Sequence, residues 1–275
     1  VDAHALTLQV IGALSGVSGD TKAGLLFALA ARPDFKSDDL DTLSALSTAL
    51  KDSDQPVRIA ALAALARVGD ALGVDEILKF AVTAEGTEGK AAAEVLATMQ
   101  DRNIEELRKT IYYTDAITQR LHDVATEAAP QDAAEIADTD GLTPEERERR
   151  HQAARVLAID ALVTRYATGT YSSMIFLAQG KNPDVAAAAI RGIGALATED
   201  YLVDALVLLN DETDPAKRAQ LEDAIVTAVR RIGTESGAAR SLTRVYGLTK
   251  SETMKTSVRK ILGELGMPQP QAAAS

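Results

Sequence analysis

Residues 52–69, DSDQPVRIAALAALARVG, show the clearest patterning of apolar and polar positions in the chain. Leu62, Leu65 and Val68 recur at i, i+3 and i+6, which puts the three side chains on one face of a helix. Asp54 is placed to cap the free amides at the helix start, and Pro56 falls in the first turn, where its missing N–H costs little. Gly69 offers the left-handed residue that ends a helix. The other face is rich in alanine (Ala60, Ala61, Ala63, Ala64 and Ala66), so a second helix can approach closely. Such a helix cannot bury its apolar stripe alone. The pattern predicts that it is stacked on copies of itself.

The same periodicity runs through the chain. It predicts helices over 3–17 (Leu6, Val10, Ile11, Leu14), from Asp20 to Ala31 (Leu25, Leu26, Leu29), and a third with Leu43, Leu46 and Leu50, capped by Ser37-Asp38-Asp39. Val74, Ile77, Leu78 and Val82 mark the helix after 54–69, and Ala91–Met99 the next. The stripe Leu62/Leu65/Val68/Gly69 returns as Ile190/Ile193/Leu196/Ala197 and as Val226/Val229/Ile232/Gly233, with a looser copy ending at Leu262/Leu265/Gly266. The later copies end about 33–36 residues apart, and Gly69 and Gln100 about 31, the spacing of helical-hairpin arrays. Two of them keep the opening signal, Asn182-Pro183-Asp184-Val185 and Asp214-Pro215-Ala216.

The middle breaks this period. Residues 103–130 read as one long helix, 130–141 as an acidic link, and Thr143-Pro144-Glu145-Glu146 as a capping box that launches a second long helix to about Ala167. Glu145–Arg149 and Glu146–Arg150 are i,i+4 pairs in the favourable order. The expected fold is all-α, an α-α superhelix of antiparallel hairpins. Residues 1–268 form a single solenoid with an extended central hairpin over 103–167, and 269–275 form a flexible tail.

The 52–69 stretch resembles a HEAT repeat. That family's second helix has an acidic start, a Pro, Val-Arg, an Ala-rich apolar run and a terminal Gly; here Asp54, Pro56, Val57-Arg58, Ala60-Ala61-Leu62, Leu65 and Gly69. The resemblance implies scaffold or adaptor work, with second helices lining a concave wall that takes a protein partner. HEAT-like proteins also include accessory subunits resembling phycobilin lyases, which a bound bilin and its visible absorbance would reveal, and DNA glycosylases with a basic stripe and tryptophans against the damaged base. In such solenoids an arginine often pairs with an aspartate at the next repeat's turn, which makes Asp54, Asp184 and Asp214 the expected acceptors.

Composition narrows these choices. The chain has 275 residues, 46% hydrophobic but only 4% aromatic, with no Trp, so Ala, Leu, Val and Ile must build the core. A net charge of −11 and a pI near 4.8 disfavour nucleic acid, although Lys and Arg cluster over 217–260. With no cysteine there is no disulfide or thiolate site. His4, His122 and His151 form no i,i+4 pair and no His-Glu dipeptide, so the iron-binding HEAT hydroxylases do not fit and no metal or cofactor is expected. No G-x-S-x-G, Rossmann or P-loop context supports an enzyme. Gly192 and Gly194 fall inside a helix, as expected for close helix packing or for room left for a partner.

No apolar run is long enough to span a bilayer. Ala5–Gly19 has no basic residue before Lys22 and makes a poor signal peptide. A start at Val1 fits a processed protein or an excised piece, and the chain fits either the cytoplasm or export. The expected activity is therefore non-catalytic protein binding. The candidate contact residues are Arg58, Arg155, Arg191 and Arg230 on second helices, with Tyr112 and Tyr113 from the central hairpin.

Overall fold

The computed structural model describes residues 3–32, 35, 40–68, 71–100, 115–126 and 141–268. Among these the regular structure is entirely helical. Contacts divide the chain into two compact units, 1–165 and 166–275, where the sequence pattern alone suggests one continuous solenoid.

The first unit holds α1 (Ala3–Leu14), α2 (Gly19–Ala31), α3 (Leu40–Leu50), α4 (Gln55–Val68), α5 (Ala71–Ala81), α6 (Gly86–Thr98), α7 (Ala116–Thr126) and α8 (Pro144–Thr164). Two rows emerge. The even helices α2, α4, α6 and α8 each pack on the next even helix, and the odd helices α1, α3, α5 and α7 do the same. Only a few residues separate α3 from α4, α4 from α5 and α5 from α6, so the two rows run antiparallel to each other. Each helix thus buries its stripe against its nearest neighbours, which is the logic of a stacked repeat.

The second unit holds α9 (Tyr171–Ala178), which a short 3₁₀ turn (Thr168–Thr170) precedes, then α10 (Pro183–Leu196), α11 (Leu202–Asp211), α12 (Pro215–Ile232), α13 (Gly237–Leu248) and α14 (Glu252–Glu264). Here α10, α12 and α14 form the even row, and α9 packs on both α10 and α11.

Most of the stripes read from the sequence are core, but Ile232 and Leu265 are only half-buried, and of the α1 stripe Leu14 alone is buried while Leu6 is exposed. Leu62, Leu65 and Val68 are fully buried, as are Ile193 and Leu196, Val229 and Leu262. So are Ala60, Ala61 and Ala64, because α4 is sandwiched between α2 and α6 and needs small residues on both sides. Gly194 shows how close the even row packs. A Cβ there would lie 2.9 Å from the Ala224 carbonyl oxygen and 3.1 Å from its Cα.

Three expectations need correction. A continuous helix over 103–130 is not what forms, since Asp115 is non-helical and its carboxylate accepts the Thr118 amide (2.8 Å), starting α7 at Ala116. The second long helix stops at Thr164 and not near Ala167, because Tyr166 adopts a left-handed φ of 55°. At α8, Thr143 Oγ1 accepts the Glu146 amide (3.2 Å) as the capping box requires. Glu146, however, takes both Arg149 and Arg150, so the expected Glu145–Arg149 pair is replaced by an i,i+3 one.

One contact recurs between even-row neighbours. Arg67, near the end of α4, donates to the carbonyl of Arg32, the C-cap of α2 (3.4 Å). Arg165, the C-cap of α8, donates to the carbonyl of Met99, the C-cap of α6 (2.6 Å). Arg231, near the end of α12, donates to the carbonyl of Ala197, the C-cap of α10. Helix ends of one sign therefore lie side by side, and the even helices in each pair run parallel. An arginine at that end offsets the partial negative charge of both C-termini.

Two outcomes follow for stability in urea unfolding. Gly194→Val should cost about 1–3 kcal/mol by overpacking against α12, whereas Gly24→Ala in α2, where nothing lies within 4 Å of the added Cβ, should gain about 0.5–1 kcal/mol. Arg165 also donates to Thr118 Oγ1 (3.1 Å) and Asp115 Oδ1 (2.9 Å). Arg165→Met should cost about 2–3 kcal/mol, and adding Asp115→Asn should cost less than the sum of the two single changes.

Candidate interaction surface

The even-row arginines sort into clamps and surface groups. Arg58 is a clamp. Its Nε and Nη2 grip the Glu88 carboxylate of α6 (2.7 and 3.0 Å), and its Nη1 takes the carbonyls of Asp52 and Ser53 (2.7 and 2.9 Å). This fork geometry suits a bidentate carboxylate. Arg218 repeats the gesture in the second unit, reaching the Glu212 carbonyl (2.9 Å) and Ser257 of α14 (3.0 Å).

The expected aspartate acceptors are not the ones these arginines use. Asp214 caps its own helix by accepting the Ala216 amide (2.8 Å), and at the earlier turn Asp52, not Asp54, accepts a backbone amide, that of Asp54 (3.0 Å). At the start of α10 the cap is Asn182, which accepts the amides of Asp184 and Val185. A short carboxylate at a turn is captured by its own backbone, and the arginines take main-chain carbonyls and Glu88.

Of the proposed contact residues, Arg155 is displaced from the surface. It is 9% exposed and donates to the Ala125 carbonyl (3.0 Å) and Gln152 (3.1 Å), tying α8 to α7. Its position on an apolar stripe of α8 carried that signal. Arg230 is exposed and reaches the Glu264 carbonyl at the end of α14 (2.9 Å). Arg191 is exposed on α10. Tyr112 and Tyr113 lie outside the described residues.

Arg191 lines a groove of about 480 Å³ between α10 and α12. Its walls carry Arg191, Gln220, Asp223 and Thr227, and its floor carries Ala187, Ile190, Gly194 and Ala224. Gly194 lies in this lining where α10 packs closely on α12, as the close-packing reading expects.

The basic stretch 217–260 is largely engaged within the chain. Lys217 donates to the Ala178 and Gly180 carbonyls (3.3 and 3.0 Å), Lys260 pairs with Glu222 (2.8 Å), and Lys255 with Glu252 (2.7 Å). Arg259 donates to Tyr246 Oη (2.7 Å) and lies over its ring. The aromatics at the unit boundary divide. Tyr171 is buried, stacks on Tyr201 at 5.0 Å and donates to the Tyr201 carbonyl (2.9 Å), while burial and then Asp204 push its phenol up. Tyr166 is exposed and accepts from Arg231 (2.6 Å).

The sequence reading missed a second cleft, of about 460 Å³, between α3 and α5. Glu76 sits in it. Burial pushes its carboxyl up, but hydrogen bonds from Ser47 and Lys79, with Lys51 nearby, more than offset this and hold it below its ordinary value. Among the described residues no group of three or more His, Asp or Glu could hold a metal ion, and no helix is long and apolar enough to cross a membrane.

No protein-family model matches the chain, and no curated protein does. Among solved structures, it is similar to an engineered protein from the Northeast Structural Genomics Consortium, at 16% identity over 94% of this chain and 77% of that one, with a TM-score of 0.28.

The Arg58–Glu88 clamp sets a pH dependence. The Arg58 hydrogen bond holds the Glu88 carboxyl below its ordinary value of 4.5. A depressed carboxyl contributes stability that is fully present above the ordinary value and lost as pH falls through the folded one. Urea midpoints should therefore drop on acidification below that value, and Glu88→Gln should flatten this limb while leaving the shape at neutral pH unchanged.

Proposed function

We propose that the chain is a non-catalytic interaction module that seats a protein segment on the even-row helices of its second unit. The groove between α10 and α12 carries this reading. It joins a narrow apolar floor to an Arg191–Asp223 rim, so one apolar side chain can enter while its polar neighbours meet charges of both signs. An arginine beside a small apolar recess is the composition of a binding hot spot. The even row is suited to such work because its helices are fixed by stacking and end-to-end hydrogen bonds, so little ordering entropy remains to be lost on binding. That rigidity supports the reading of the chain as an adaptor. Arg230, on the same helix as Asp223, extends the polar rim toward α14.

Quantitative capture from an extract of the source organism tests the reading. Arg191→Glu and Ile190→Asp should each lower recovery of the specific partner at least about tenfold, while Lys255→Glu, away from the groove, should leave it unchanged, with thermal melting confirming that each variant is folded. Equal recovery by the Arg191→Glu variant and the unaltered protein would remove the groove from consideration.

A further inference from the structure

The cleft between α3 and α5 is independent of that surface and belongs to the first unit. It is lined by Ser47, Leu50, Lys51, Glu76, Lys79, Phe80, Thr83 and, from α8, Arg150. Within a chain of net charge −11, this lining sets three cations against one carboxylate.

The polar groups inside it are not equally committed. Glu76 is satisfied from within by Ser47 and by Lys79 (2.9 Å), which together account for one anion and one cation. Arg150 gives its Nε to Glu146 (3.0 Å), and Lys51 stands at the exposed end of α3. Positive charge is therefore left over on two sides of the opening. Leu50 and Phe80 supply apolar surface beside it, and Thr83 a hydroxyl. The volume falls within the range of small-ligand pockets, and the lining is more polar than apolar.

We propose that this cleft binds a small organic anion, a phosphate or carboxylate bearing an aromatic or aliphatic group, with its charge between Lys51 and Arg150 and its apolar part on Leu50 and Phe80. Glu76 is paired with Lys79, and Lys51, which also lies near it, is the cation that the incoming anion shares with it. The size of the cleft limits the apolar part to about one ring or a short chain.

Isothermal titration of the full chain in low-salt buffer decides the matter, with phenyl phosphate, inorganic phosphate and benzyl alcohol as probes. Phenyl phosphate should bind once per chain and at least about tenfold more tightly than either of the others, since only it uses both parts of the cleft. Lys51→Gln and Arg150→Gln should each weaken it by about tenfold. Phe80→Ala should weaken phenyl phosphate while leaving inorganic phosphate unchanged. Lys51 is exposed, so its variant folds and remains a fair test even if Arg150→Gln disturbs α8. Unchanged binding of phenyl phosphate in Lys51→Gln would overturn the proposal, as would inorganic phosphate binding as tightly as phenyl phosphate.

Discussion

Helices laid side by side in the same direction bring like helix ends together. Each end carries a partial charge from unpaired backbone groups. The even row of this protein lives under that constraint. Its alanine and glycine faces draw the axes close, and the closer they come the more the ends repel. Arginines at Arg67, Arg165 and Arg231 resolve the conflict by reaching back to the last carbonyl of the preceding row-mate. The Arg58 and Arg218 clamps work at the opposite end, reaching forward to the helix that follows. Stacking and end-pairing are thus one device, and neither helps without the other.

That arrangement explains where function can sit. Some side chains that tie helices together are drawn in from the surface, as the buried Arg155 and the half-buried Arg58 show. Mid-helix, between the clamps, Arg191 and Asp223 flank the α10–α12 groove. In the odd row of the first unit the neighbours are tied by side chains, Arg120 to Asp75 and Ser47 to Glu76, and the cleft around Glu76 opens between α3 and α5.

The fold was readable in the sequence wherever one helix face is uniformly apolar. Leu62, Leu65 and Val68, and their counterparts from Ile190 and Val226 onward, announced the core because burial leaves no freedom in residue type. The Pro-led starts at Pro144, Pro183 and Pro215 were legible for the same reason, as a local backbone rule. Partner choice among charged residues was not legible. Asp214 could have served a neighbouring arginine or its own helix start, and proximity within the turn decides for the latter. The Glu76 cleft gave no signal, since Ser47, Lys51, Lys79 and Arg150 are scattered over three helices and no spacing unites them. The break at Asp115 was hidden by apolar residues that keep helical phase on both sides of it.

The acceptor in each end-pairing contact is main chain, and every residue type supplies the same carbonyl. Arg32, Met99 and Ala197 fill that position with nothing in common. A substitution there calls for no matching change in the arginine that binds it. Lineages of such a protein can therefore drift freely at their turns without losing the stack, and methods that infer proximity from correlated substitutions are blind to the contacts that align its helices.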